Sequence, residues 1–120
     1  MMLKLLKGKV HRATVTDADL NYEGSIGISE DLMEAAGIIP FEHVEVYDIT
    51  NGARFTTYAI PLEKNSGGIT INGAAAHLSK VGDLVIICAY QFLEPKETKG
   101  YKPNLVLVDK KNQIKKITHA

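Results

Sequence analysis

Hydrophobic and polar residues alternate with period two through residues 3–16, where β-branched positions are frequent, and this predicts a strand. Regular alternation places Lys9, His11, Ala13 and Val15 on one face of it. Residues 16–21 read as a polar turn that delivers the chain to Tyr22, and Ser25, Ile26, Gly27 and Ile28 as a short strand. The spacing then becomes helical. Leu32, Met33 and Ala36 form one apolar stripe, Ser29 is placed to cap the helix, and Glu30 and Asp31 sit at its positive end. Gly37 is the natural stop, and Pro40 lies beyond it.

Period two returns in residues 43–49 and 54–60, joined through Asn51-Gly52, a pair suited to the positive backbone angles of a tight hairpin. Arg54, Thr56 and Tyr58 fall on one face of the second strand, and Phe55, Thr57 and Ala59 on the other. Residues 65–68 are a loop and residues 69–71 a strand. Asn72 is a candidate cap for a short helix whose first amides belong to Gly73, Ala74 and Ala75. A buried strand follows at 84–89, two short strands at 105–108 and 113–117, and a frayed end at Thr118, His119 and Ala120. Strand, short helix and strand occur in residues 26–48 and again in 69–90, which suggests a small barrel of two interleaved, pseudo-twofold halves.

A chain of 120 residues is expected to form a single domain, 1–120, and to bury roughly two-thirds of its unfolded surface. Lys plus Arg equals Asp plus Glu at 14 each, so no basic excess recommends nucleic acid or an anionic membrane as partner. Lys4 and Lys7 interrupt the N-terminal apolar residues before a signal sequence develops. The longest clean apolar run, residues 84–90, is far short of the roughly 20 residues needed to span a bilayer. Cys88 is the single cysteine; it reads as a buried small hydrophobe and fits a reducing cytoplasm. His11, His43, His77 and His119 are dispersed, with no HExxH or Cys-x-x-Cys pattern, so no metal site is expected. No Walker loop, strand-to-helix GxGxxG or Gly-x-Ser-x-Gly elbow is present.

Gly24-Ser25 offers different chemistry. The serine hydroxyl is placed to add to the preceding glycyl carbonyl and exchange the amide for an ester. Loss of the Ser25 α-proton then expels the ester by elimination, and the resulting dehydroalanine hydrolyses to ammonia and a pyruvoyl group. Local strain at Gly24, of order 1–3 kcal/mol, is expected to offset part of the uphill acyl shift. Gly-Ser is equally a common turn dipeptide, and these two residues alone favour the turn.

Lys9-Val10-His11-Arg12, residues 19–25 (Asp-Leu-Asn-Tyr-Glu-Gly-Ser), residues 50–60 around Arg54-Phe55-Thr56-Thr57-Tyr58, Asn72-Gly73-Ala74-Ala75-Ala76-His77 and residues 81–87 occur in this order. Together they closely resemble the bacterial aspartate 1-decarboxylases, pyruvoyl enzymes that make β-alanine for pantothenate synthesis. The resemblance covers about the first hundred residues, and the tail beyond Glu94 matches poorly. It implies a mainly β fold, a small double-psi β-barrel with short helices, and a homotetramer with active sites between subunits. It also implies cleavage between Gly24 and Ser25 into chains 1–24 and 25–120, with the pyruvoyl group from Ser25 as cofactor and neither metal nor pyridoxal phosphate. The implied substrate is L-aspartate, whose amine condenses with the ketone so that loss of carbon dioxide sends electrons into a conjugated sink.

The resemblance implies roles as well. Arg54 holds a substrate carboxylate, since a guanidinium binds it bidentately, and Lys9 is a second carboxylate partner. Tyr58 is the proton donor after decarboxylation. Thr57 matches a position linked to substrate binding and to cleavage, although alternation points it away from Arg54 and Tyr58. Asn72 orients the pyruvoyl region, the amides of Gly73, Ala74 and Ala75 bind substrate, and His11 and Tyr22 line the site. Whether maturation needs an accessory protein, as in some relatives, stays open. Two other readings remain: a non-catalytic barrel module in which Gly24-Ser25 is only a turn, and a pyruvoyl decarboxylase for another amino acid.

Overall fold

The computed structural model describes residues 1–119; the expected fray reaches Ala120, which lies outside the described residues. The strands are β1 (Leu3–Thr14), β2 (Asp17–Asp19), β3 (Ser25–Ser29), β4 (His43–Asp48), β5 (Arg54–Leu62), β6 (Ile69–Asn72), β7 (Leu84–Leu93), β8 (Asn104–Val108) and β9 (Ile114–Thr118). One α-helix, α1 (Glu30–Ala36), and two short 3-10 helices, Gly73–His77 and Pro95–Glu97, interrupt them.

The strand order is β2-β6-β3-β5-β4-β7-β1-β8-β9. Its first member and β1 are successive parts of one chain path. The Val15 amide donates to Asp83 O at 2.9 Å and the Thr16 amide to Ile69 O at 2.8 Å, carrying β1 onward into β2. The ordering therefore closes on itself through residues 15–16, and a closed sheet leaves no edge within the barrel.

The internal echo is real and more complete than the sequence suggested. β1/β2, β3, α1 and β4 correspond in order to β5, β6, the 3-10 helix and β7. β3 runs parallel to β5 just as β6 runs parallel to β2, and β4 is antiparallel to β5 just as β7 is antiparallel to β1. The equivalent pairs β3/β6 and β4/β7 are antiparallel, as a twofold relation requires. Every one of these six pairings joins one half to the other. The fold is thus mainly β, a small double-psi β-barrel with short helices.

The inward faces carry Val10, Ile26, Ile28, Val44, Val46, Ile69, Ile71, Val85 and Ile87, all fully buried. Helix α1 lays Leu32, Met33 and Ala36 against this core as its spacing predicts, and Gly37 ends it in the left-handed conformation (φ 77°). Ser29 makes no capping bond; its hydroxyl turns to the Asp31 carboxylate and Glu63 O.

Other expectations change. Ala13 and Val15 do not share a face with Lys9 and His11. A bulge between Val10 and Ala13, with Arg12 at φ 63°, inserts an extra residue, so Ala13 and Val15 enter the core while Lys9 and His11 remain partly exposed. Residues 17–19 are strand rather than turn, because their backbone pairs with β6. In the hairpin only Gly52 has positive φ (79°). The Asn51 side chain instead accepts from the Ala53 amide and donates to Leu78 O.

The tail, from which the sequence promised little, completes the structure. β8 runs parallel to β1 and buries Val106, while Asn112 donates to Thr14 O and Gly67 O and accepts from the Thr14 amide, each at 2.8 Å.

Candidate active site

Ser25 opens β3 directly opposite Asn72, the last residue of β6, and is only 2% exposed. This pairing fixes the hydroxyl: Asn72 Nδ2–H donates to Ser25 Oγ at 3.1 Å, and Ser25 Oγ–H points to Glu23 O at 3.4 Å. Asn72 makes no cap bond to the following 3-10 helix, so its expected capping role gives way to an anchor for Ser25. A buried amide without a partner is costly, and here the partner is the serine.

Gly73 follows with φ 76°, and a Cβ there would stand 2.8 Å from Gly24 Cα and 2.9 Å from Gly24 N. Only glycine permits this approach together with this conformation. Gly24 itself is not among the residues of positive φ, so the left-handed strain expected there is not found, and Gly73 adopts its own positive φ without a steric penalty. On the side where Gly24 would carry a Cβ there is open space.

That space is a cleft of about 230 Å³ lined by Gly24, Phe55, Thr56, Thr57, Asn72, Ala74, Ala75 and Leu78. Thr57 reaches it because β5 pairs Thr57 with Val44 and Phe55 with Val46, whose side chains face the barrel interior. Alternation thus brings Thr57 to the cleft that Gly24 and Asn72 line and turns it from Arg54, without any bulge in β5. Phe55, Thr56 and Leu78 were missed as lining residues. Phe55 was legible, since it shares Thr57's parity on the strand; Leu78 arrives through the end of the 3-10 helix, which no local pattern marks.

Lys9, His11, Arg54 and Tyr58 do not line this cleft. They lie on the outer face of the sheet β5-β4-β7-β1, where Thr56, Glu45, Cys88 and Lys9 stand opposite one another in one row. Arg54 stacks its guanidinium 4.0 Å from the Tyr47 ring centre, and Tyr58 packs near Phe41 with ring centres 6.2 Å apart. His11 has a buried Nδ1 without a hydrogen-bond partner; desolvation, then Lys9 and Arg12, hold its pKa below the ordinary histidine value. Tyr22 is 56% exposed, its carbonyl lying against Gly73.

Cys88 is buried, and that burial pushes its thiol pKa up, which suits a packed side chain rather than a nucleophile. Among the described residues no group of three or more His, Cys, Asp or Glu side chains is placed to hold a metal ion, and no helix is long and apolar enough to cross a membrane.

A small double-psi barrel with a glycyl-serine peptide at the mouth of a cleft frames the site. A sequence model of the family described as aspartate decarboxylase matches residues 1–115, and the chain belongs to that family. The match runs past the first hundred residues and into β9, further than the sequence alone indicated. An aspartate 1-decarboxylase of Syntrophus aciditrophicus (strain SB) is 57% identical over 115 residues, covering 96% of this chain and 99% of that one. One from Xanthomonas campestris pv. campestris (strain B100) is 54% identical over 120 residues, covering 100% and 95%. The crystal structure of the computationally designed msDPBB_sym2 protein aligns at 18% identity and a TM-score of 0.45, covering 72% of this chain and 96% of that one. The strand pairings above, rather than that loose likeness, carry the barrel assignment.

Proposed function

We propose that this chain cuts itself between Gly24 and Ser25, converts Ser25 to a pyruvoyl group, and with it decarboxylates L-aspartate to β-alanine and carbon dioxide for pantothenate and coenzyme A synthesis. The observation that carries the reading is the Ser25 hydroxyl, buried and held by Asn72 beside a glycyl peptide that opens on a cleft.

In the cut, Ser25 Oγ adds to the Gly24 carbonyl carbon and the C–N bond breaks, giving an ester and a free amine on residue 25. Removal of the Ser25 α-proton breaks the Cβ–Oγ bond, releasing Gly24 as a carboxylate. Tautomerisation and hydrolysis then release ammonia. The Asn72 amide fixes the oxygen, and the close packing of Gly73 fixes the peptide it must reach. With no left-handed strain at Gly24, the uphill ester is drawn forward by the elimination and the loss of ammonia that follow.

The residues fit the group. Asn72, which holds Ser25 Oγ in the uncut chain, would adjoin the group formed from Ser25, and the open side of Gly24 would let the cut end move away. When formed, the pyruvoyl group supplies a ketone conjugated to an amide carbonyl, an electron sink for a decarboxylating amino acid. Thr57 and the backbone of Gly73, Ala74 and Ala75 position substrate in the cleft. Arg54 binds one substrate carboxylate, Lys9 is placed for the second, and Tyr58 Oη donates a proton to the carbon that has lost carbon dioxide. His11 and Tyr22 line the pocket.

Arg54 does not line the cleft of its own chain, and this reading sets the active sites between the subunits of a homotetramer, where Arg54 would meet the cleft of another copy. A cytoplasmic enzyme without metal or pyridoxal phosphate completes the proposal.

Intact-mass analysis of purified protein tests it. Fragments of residues 1–24 and 25–120, the latter carrying the mass of a pyruvoyl N-terminus, are expected, with β-alanine formed from L-aspartate. A single uncut species after prolonged incubation, alone and with lysate from a β-alanine-synthesising bacterium as a source of maturation factor, overturns the cofactor. Cleavage without β-alanine overturns the substrate. Ser25→Ala should remain folded, uncut and inactive.

A further inference from the structure

Arg54 is the cation this reading assigns to the substrate carboxylate, yet a carboxylate of its own chain stands beside it. Tyr47 lies opposite Arg54 and Glu45 opposite Thr56, so Glu45 and Arg54 are diagonal neighbours on one sheet face. Diagonal positions are about 7–8 Å apart at Cα, within reach of two long side chains. Nevertheless Arg54 is absent from the ion pairs formed among the described residues.

The Glu45 carboxylate is engaged elsewhere. Tyr47 Oη–H donates to Glu45 Oε1 at 3.0 Å, and the Lys4 ammonium approaches Oε2 at 3.4 Å. Since the Tyr47 proton is committed to Glu45, Tyr90 is the donor in the 2.9 Å contact between the two phenols. Lys4 also lies 5.2 Å over the Tyr90 ring, which closes the cluster. The Tyr47 ring, pinned at its hydroxyl end, turns its face to the Arg54 guanidinium at 4.0 Å. A stacked guanidinium keeps its N–H edge available, because the ring occupies its face and not its donors.

We propose that Tyr47, held by Tyr90, is a positioning residue that keeps Glu45 off Arg54 and so leaves the guanidinium free for the carboxylate of an amino-acid substrate. The proposal rests on the assignment of Arg54 given above. Tyr47→Phe retains the ring and its stacking but removes the hydroxyl that restrains Glu45. The freed carboxylate then competes with substrate for Arg54.

The test is steady-state decarboxylation of L-aspartate by protein whose cleavage is first verified by intact mass. Tyr47→Phe should be cut like the parent and show KM raised about three- to fivefold, the scale of an exposed ion pair, with kcat little changed. Adding Glu45→Gln to Tyr47→Phe should return KM to the parental value, a rescue that a merely structural tyrosine would not allow. Arg54→Ala, measured alongside, should raise KM strongly. An unchanged KM in Arg54→Ala overturns the carboxylate assignment and this proposal with it. A KM raised by Arg54→Ala but untouched by Tyr47→Phe, or raised by Tyr47→Phe and not restored by Glu45→Gln, overturns the positioning role alone.

Discussion

Gly73→Ala should slow the proposed self-cleavage while leaving the barrel folded. The added Cβ would lie 2.8 Å from Gly24 Cα, whereas ordinary contact begins near 3.4 Å, so the Gly24 peptide or the start of the 3-10 helix must yield by about 0.6 Å. At φ 76° alanine also carries a left-handed penalty of about 1–2 kcal/mol. Misplacing reacting groups by ~1 Å costs on the order of a hundredfold, so cleavage should slow by about tenfold or more. Gly52→Ala is the matched control, because Gly52 has φ 79° and nothing within 4 Å of an added Cβ. It should suffer the same backbone penalty, visible as a similar loss in urea midpoint, and be cut at the parental rate. The assay is a time course of intact mass from freshly made protein. Equal cleavage rates for the two variants would show that the Gly73 contact does not position the scissile peptide.

Three further outcomes follow from the same geometry. Asn112→Ala removes three bonds of 2.8 Å at a residue 1% exposed, and should lower unfolding free energy by at least about 2 kcal/mol; a urea-melt loss below half of that would mean that the tail is not pinned there. Burial pushes Asp31 upward, but hydrogen bonds from Ser29 and the Asn65 amide outweigh it and leave its pKa below the ordinary carboxylate value. Its stabilising contribution is therefore present above the unfolded value near 3.8 and lost as pH falls through the lower folded one. Asp31→Asn should flatten that acid limb in urea midpoints, and an unaltered limb would contradict the assignment. Cys88, buried with its pKa raised, should resist iodoacetamide at pH 8 until denaturant is added; rapid labelling of the folded chain would contradict its packing.

The hairpin of β4 and β5 and helix α1 were legible because each is encoded within a few neighbouring residues. The faces of β1 were not, because one bulged residue, Arg12, reverses alternation and nothing local announces it. Asn72 looked like a cap from its position before a short helix. Its true partner, Ser25, lies 47 residues away across an antiparallel pairing. The split of the candidate residues into two surfaces was half legible: the parity of Arg54 and Tyr58 against Thr57 already forbade one cluster on one strand. Where β3 lies against β5 was not legible either, because their parallel register, Ile26 against Ala59, joins residues 33 positions apart.

The strand pairing also bears on how a chain of this topology would survive the proposed cut near its start. Each barrel pairing joins the two pseudo-equivalent halves, and of consecutive strands only β4 with β5 and β8 with β9 pair directly. A break between Gly24 and Ser25 would separate β1 and β2 from β3, strands that do not pair with each other. Residues 1–24 would stay bound through β1 to β7 and β8 and through β2 to β6. Residues 25–119 would retain the pairings of β3 with β5 and β6. Val10, Ala13 and Val15, all within the short fragment, are buried in the common core, so leaving would expose them to water at about 25 cal/mol per Å² of apolar surface. Backbone continuity at Gly24 is thus not what holds these strands in register, so a cut there would leave their pairings in place.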